Sequence, residues 1–323
     1  MTKKVLTMLL AASVALCAQE TSAKKADVSR DGKPDTKLQK LVEDIASQHH
    51  GKVAFFAKNL KTGATVGVNP DEVVKTASTI KLAALIEGFY QIKAGKKNLA
   101  DKVTLRKEDQ VGGSGTFPFL RAPIDLTLED VLTFMVIYSD NTGTNLAIDQ
   151  FGLKNINERI ASMGLKNTYF YKKVFKPAEG PMPSDQKTYG LGKTTPREIG
   201  EMMESIDRCD LGDPELCKKM LDILKKQQYR EAIPRYIETS DTSEVPSAIA
   251  NKTGALDALR ADVALVYTKN GKILISAYAY ENKDQRWNPD NEAYITIAKL
   301  AKVIVDTWAP KGLQPEEEKD AKK

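Results

Sequence analysis

The chain has 323 residues, 41% of them hydrophobic, enough to bury a substantial core in one large domain or two subdomains. Its 48 Lys and Arg stand against 43 Asp and Glu, a formal net charge of +5, with the cations scattered among the acids. That composition excludes a disordered tail or a fibre and argues against nucleic acid as the main partner.

Residues 1–23 read as an export signal. A basic start, "MTKK", precedes the apolar "VLTMLLAASVALC", and small residues follow at Ala15, Cys17, Ala18 and Ala23. The apolar stretch is short for a membrane span and no other run is long enough, so a periplasmic or secreted protein without a span is expected. A lipid anchor on Cys17 is the weaker reading, because Leu16 stands where a small residue is usual.

After a polar linker over 24–35, the catalytic-sized region is expected over 36–310. "TKLQKLVEDIASQ" places Leu38, Leu41, Val42 and Ile45 on one helical stripe. "KVAFFAKNL" and "ATVGVN" read as strands joined by a turn at "KTG". Next comes the apolar helix opened by "TASTIKLAAL", then a mostly helical middle. It is broken by "VGGSGTFPF", by residues 164–196, and by "CDLGDPELC".

Cys209 and Cys217 would meet an oxidising compartment after export, and a loop-closing disulfide is expected. The alternative, a metal or redox pair, has no third ligand nearby. "SAIANKTG", "ALRADVALVYT" and "KILISAYAYE" are β-rich, with Asn270 and Gly271 as a hairpin turn between the last two. "EAYITIAKLAKVIVDTW" closes the fold as a helix, and 311–323 is a solvated tail. Strands from both ends should therefore form one antiparallel sheet flanked by helices, an α/β (α+β) fold. The helical middle, about 76–240, would be an insertion.

Two adjacent histidines, His49 and His50, are the only ones. They cannot supply the separated imidazoles of a zinc centre, and no Gly-x-Ser-x-Gly elbow supports a Ser-His-acid triad. A nucleophilic serine would need another base, and a lysine with a lowered pKa can serve. Ser78 and Lys81 are three apart and share one face at a helix start. Ser22 with Lys25 and Ser184 with Lys187 repeat the spacing in polar or signal contexts, so only the Ser78 pair opens an apolar helix.

Ser139, Asp140 and Asn141 follow the apolar "VLTFMVI", where the plain alternative is a helix cap. Lys252, Thr253 and Gly254 end a β-rich segment. A hydroxyl, a charge and a small residue at a strand edge suit an extended carboxylate-bearing substrate. Lys61, Thr62 and Gly63 repeat that triplet as a simple turn.

In this order, on these element types, Ser-x-x-Lys, Ser-Asp-Asn and Lys-Thr-Gly resemble the serine β-lactamase and penicillin-binding protein superfamily, most of all class A β-lactamases. The likeness spans about residues 35–310. It implies a five-stranded antiparallel sheet, and a monomeric serine hydrolase with no metal or organic cofactor. The implied substrate is a small β-lactam or a peptidoglycan stem peptide.

By the same resemblance, Ser78 is the nucleophile, Lys81 its proton acceptor, and Ser139 the proton shuttle to the leaving nitrogen. Asn141 holds a substrate amide, Lys252 and Thr253 hold its carboxylate, and Gly254 lets it approach. The amides of Ser78 and Ala255 form an oxyanion hole. Arg260 would add carboxylate affinity, or else is a surface arginine.

The family's deacylating glutamate maps to Glu179 when counted back from Thr194, Thr195 and Pro196. Counted forward from Ser139, the position falls near Phe175. The family's Glu-x-x-Leu-Asn pattern is absent, since Met182 and Pro183 stand where Leu and Asn would. Glu179 is thus either the base or a solvated loop residue. The resemblance implies a class A-like serine β-lactamase that hydrolyses the β-lactam amide through an acyl-serine intermediate; a D-Ala-D-Ala peptidase or a β-lactam sensor without turnover is the alternative function.

Overall fold

The computed structural model describes residues 34–238 and 247–314. The expected signal, nearly all of the linker and most of the tail lie outside the described residues. Helix α1 (Thr36–Ser47) starts at Asp35, whose Oδ1 accepts the Leu38 N–H at 3.1 Å. Strands β1 (Lys52–Asn59) and β2 (Thr65–Val68) form a hairpin, and β3 (Val74–Lys75) leads to a short 3₁₀ helix over Ala77–Ile80 and into α2 (Lys81–Lys93).

The middle holds the hairpin β4 (Lys102–Leu105) and β5 (Ile124–Thr127), then α3 (Leu128–Ile137), α4 (Asn141–Phe151) and α5 (Leu153–Ser162). It continues through β6 (Tyr169–Phe170), α6 (Gln186–Tyr189), β7 (Gly192–Thr194), α7 (Pro196–Asp207) and α8 (Pro214–Lys225). Strands β8 (Ile249–Leu256), β9 (Leu259–Thr268) and β10 (Gly271–Tyr280) precede α9 (Glu292–Trp308).

The main sheet has five antiparallel strands in the order β2-β1-β10-β9-β8, so the first and last segments of the chain meet in it. One face packs against α1 and α9 through Phe55, Ile249, Ile275 and Ile297. The other packs against the helical middle through Phe56, Leu82, Val263 and Leu274. Both faces being covered, β9 is buried almost throughout and shows no in-out alternation. Helix α2 is apolar nearly all round for the same reason, as an interior helix must be. Asp35 also accepts the Trp308 Nε1–H at 3.0 Å, tying the first helix to the last.

Two small sheets, β3-β7-β6 and β4-β5, interrupt the middle that the sequence presents as helical. Strands of two to four residues carry too little periodicity to read. The histidines are structural: His49 contacts Asn282 Oδ1 at 2.8 Å and Thr296 Oγ1 at 3.2 Å, and His50 contacts Glu292 at 2.8 Å.

Cys209 and Cys217 form a disulfide across the α7–α8 turn, Cα to Cα 5.5 Å. Closing so short a loop stabilises by about 2 kcal/mol in the chain-entropy account. Cys209→Ser, or reduction, should therefore lower the melting temperature by several degrees. An unchanged melting curve under reductant would remove the bond from the stability account.

Candidate active site

Five of the segments singled out above meet at the exposed edge of β8. Ala77 adopts a left-handed φ of 46°, turning the chain from β3 into the 3₁₀ helix that carries Ser78. Thr79 Oγ1 donates to Thr76 O at 2.8 Å and contacts the Tyr278 hydroxyl at 2.7 Å, fixing the turn on β10. Beside it, a Cβ on Gly254 would come within 2.9 Å of Thr76 O and 3.1 Å of Ser78 N. Only glycine lets β8 lie this close to the Ser78 backbone.

Lys81, one turn on, is fully buried. Its Nζ donates to Ser139 O at 2.6 Å, Asn141 Oδ1 at 2.9 Å and Ser139 Oγ at 3.2 Å, and it makes no ion pair with a described carboxylate. Burial, and then the charge of Lys252, hold its pKa well below the ordinary lysine value, against an opposing pull from Asp140. Lys252 is equally buried, and its Nζ donates to Ser139 Oγ at 3.1 Å and Thr253 O at 2.8 Å. Burial lowers its pKa to about 7 although Asp262, on the neighbouring strand, favours the charged form. Ser139 Oγ thus sits between two lysine amines.

The Ser-Asp-Asn segment divides its labour. Asp140 is the cap of α4, its Oδ1 accepting the Gly143 N–H at 2.8 Å. Its Oδ2 accepts the N–H groups of Thr116 and Phe117 at 2.6 and 2.7 Å, anchoring the loop over the site. Ser139, with φ 53°, and Asn141 on either side turn towards the lysines. Cap and site are therefore one structure, not alternatives. Asn141 Nδ2 also donates to Gly112 O at 3.0 Å, and Ser114 Oγ to Ser139 O at 2.8 Å.

Ser78, Ser139, Asn141, Thr253, Gly254 and Ala255 line one cavity of about 920 Å³. Its far wall comes from Lys172, Val174, Phe175 and residues 187–191. Four site residues expected from sequence are absent from the lining: Lys81 and Lys252, buried behind Ser139, and Glu179 and Arg260. Glu179 is exposed on the surface of the loop and does not reach the cavity.

Phe175, the residue reached by counting forward from Ser139, lines the cavity instead. Its left-handed φ of 55° follows Val174, whose N–H and C=O are both held by the Asn145 amide at 2.8 and 3.0 Å. A Cβ on Gly113 would meet the Phe175 ring at 3.0 Å and Asn141 Nδ2 at 2.6 Å, which shows how closely the ring approaches the site.

Arg260 is neither a substrate ligand at the surface nor an exposed arginine. It is fully buried, and its guanidinium donates to the carbonyls of Leu256, Leu259 (2.9 Å) and Arg286 (2.9 Å).

Sequence reasoning missed cavity residues that carry no motif, among them Tyr229, Glu231 and Trp287 from loops and Tyr294 from the first turn of α9. Asn145 was in principle findable, four residues after Asn141 on one helix face. Among the described residues, no group of three His, Cys, Asp or Glu side chains is placed to hold a metal ion. None of the described helices is long and apolar enough to cross a membrane.

A five-stranded antiparallel sheet, with a helical segment inserted before its edge strand and a lysine-rich cleft at that edge, is the β-lactamase/transpeptidase fold. The profile of the "Beta-lactamase enzyme family" matches residues 35–308, and the chain belongs to that family. It is 24% identical over 312 residues to a β-lactamase of Bacillus licheniformis, covering 94% of each chain. To β-lactamase AER-1 of Aeromonas hydrophila it is 27% identical over 284 residues, covering 85% of this chain and 87% of the other.

Among solved structures, a β-lactamase of Sphaerobacter thermophilus matches with TM-score 0.72 at 26% identity, covering 84% of this chain and 97% of that one. PBP-A matches at 0.71 and 22%, covering 85% and 97%. The family makes the chain a serine β-lactamase-like hydrolase.

Asp140 bonds three backbone amides from inside the protein, so removing it leaves three donors unpaired. Asp140→Ala should cost about 3 kcal/mol or more in denaturant unfolding. A loss under about 1 kcal/mol would mean that water replaces the carboxylate at that loop.

Proposed function

We propose that the chain is an exported active-site-serine enzyme that β-lactams acylate at Ser78, and that it releases the acyl group slowly. It is closer in action to a penicillin-binding D-Ala-D-Ala peptidase than to a fast class A β-lactamase. The observation that carries the acylation half is Lys81, a buried amine that makes no ion pair with a carboxylate among the described residues, one turn from Ser78.

In its neutral form Lys81 takes the Ser78 hydroxyl proton as Oγ attacks the lactam carbonyl. The backbone N–H groups of Ser78 and Ala255 hold the oxyanion. As the C–N bond breaks, Ser139 passes a proton to the nitrogen. Lys252 and Thr253 hold the substrate carboxylate, and Asn141 its side-chain amide. No metal or organic cofactor is needed for any of these transfers.

Release requires water activated beside the ester. The wall that faces Asn141 presents the Phe175 ring, and Glu179 is exposed away from it. Those placements favour a lasting acyl-enzyme. One solved PBP-A structure is an acyl-enzyme complex of a mutant with penicillin G. The names of the β-lactamase relatives favour the second reading, rapid hydrolysis with Glu179 as base.

Intact-protein mass spectrometry after mixing with penicillin G separates the two. A lasting adduct, absent in Ser78→Ala and shortened in Phe175→Glu, supports slow release. Brief labelling with substrate consumed, and a longer adduct life in Glu179→Gln, supports the hydrolase. A folded sample with neither adduct nor turnover would sink both.

The second-order acylation constant reports the free protein's ionisations. It should fall as pH drops and Lys81 gains a proton, and fall again as pH rises through about 7 and Lys252 loses its charge. A steady rise to about pH 10, as an unshifted lysine base would give, contradicts this assignment.

A further inference from the structure

The cavity does not end at the catalytic edge of β8. In the antiparallel register Thr253 pairs with Asp262 and Ala255 with Arg260. These four side chains lie on the face of the sheet shared with Ala264 and Val266, opposite to Lys252. Ala255 is small, and the cavity it lines is also bounded by Tyr229, Glu231, Trp287 and Tyr294, a group of side chains taken together as a lobe.

Trp287 is 64% exposed, yet one face of its indole rests on a buried group. The Arg260 guanidinium lies 4.4 Å from its ring centre and 5.2 Å from that of Tyr294. The segment is pinned on both sides of the indole. Arg260 and Asn291 both donate to Arg286 O at 2.9 Å, and Arg235 donates to Pro289 O and to Asp290 Oδ1, the latter at 2.8 Å. A large exposed aromatic held this firmly beside a cleft is a preorganised contact.

We infer that this lobe is an aromatic subsite, in which Trp287 stacks on a planar ring carried on the carboxylate side of the substrate and Arg260 is its positioning residue. The inference rests on the proposed function, because Lys252 and Thr253 bring the substrate carboxylate to the mouth of the lobe. The guanidinium covers one indole face, so the open face is the one a ligand ring can use. The contact lies on the side of the substrate opposite Asn141 and Phe175, and therefore selects a different group from those two residues.

Cephaloridine and deacetoxycephalothin test this. They share a thienylacetyl side chain, but the first carries a pyridinium ring on the carboxylate side and the second a methyl group. Second-order acylation constants are measured by absorbance and by mass labelling of Ser78, each divided by the compound's rate of alkaline hydrolysis. Wild-type protein should favour cephaloridine roughly threefold to tenfold, the range an aromatic pair supplies.

Trp287→Ala should bring that ratio close to one, and Trp287→Phe should keep most of it. Arg260→Lys, which retains the charge but not the planar fork, should lower it. Because Trp287 is exposed, its alanine variant carries the test even if Arg260→Lys fails to fold. Equal constants in the wild type overturn the inference while leaving the proposed function standing. So does a ratio that survives Trp287→Ala but is lost in Glu231→Gln, since that assigns the preference to charge. If neither compound labels Ser78, the reading beneath fails and takes the subsite with it.

Discussion

The structure turns on keeping the Lys81 amine dry. An ammonium group is stable in water and costly in an apolar interior unless acceptors surround it. Here its acceptors are a hydroxyl, a carbonyl and an amide oxygen, with Lys252 close enough to oppose its charge. Such a site solvates the amine without locking it in the charged form, as a carboxylate would. That is what a lysine base requires, and it demands a rigid, water-free surround. The all-round burial of α2, the second helical layer, and the sheet beneath supply it.

Local strain is concentrated where this surround touches substrate. Ala77 and Ser139 both adopt left-handed backbone angles, which non-glycine residues hold only when neighbours impose them. For Ala77 the constraint comes from Thr79 bound to β10, and from Gly254 pressed close to the backbone. For Ser139 it comes from Asp140, which caps α4 and grips the loop at Thr116 and Phe117 with the same carboxylate. A residue that reads as an ordinary cap is therefore also what aims its two neighbours.

These dependencies explain what was legible in the sequence. Ser78 with Lys81, Ser139 with Asn141, and Lys252 with Thr253 each sit within a few residues, so spacing, together with the apolar or β-rich run around each pair, placed them. The sheet was legible because β1, β9 and β10 carry long β-rich runs and Asn270 with Gly271 marks the turn. Glu179 was hard to place because its location depends on a loop of variable length, where counts from the two ends disagree; in the structure it is exposed and outside the cavity lining. In the structure the Asn145 side chain fixes the Val174 backbone, and Phe175 beside it lines the cavity. Arg260 misled for a different reason: a strand residue's face follows from register, and one residue decides whether it meets substrate or the layer behind.

The cleft therefore separates two problems that a β-lactam hydrolase must solve together. Acylation, as proposed, would depend on groups fixed by the core, each pair close in sequence. Release, on the proposed reading, would depend on a wall fixed by a loop, and in this chain that wall carries the Phe175 ring. An ester on Ser78 would face Phe175 on one side and the Asn141 amide on the other, neither able to take a proton from water. The remaining cavity carboxylates, Glu231 and Asp257, come from segments that border the sheet's other face and edge turn. On the proposed reading, the same core could serve fast or slow turnover, with the loop that carries Phe175 making the difference.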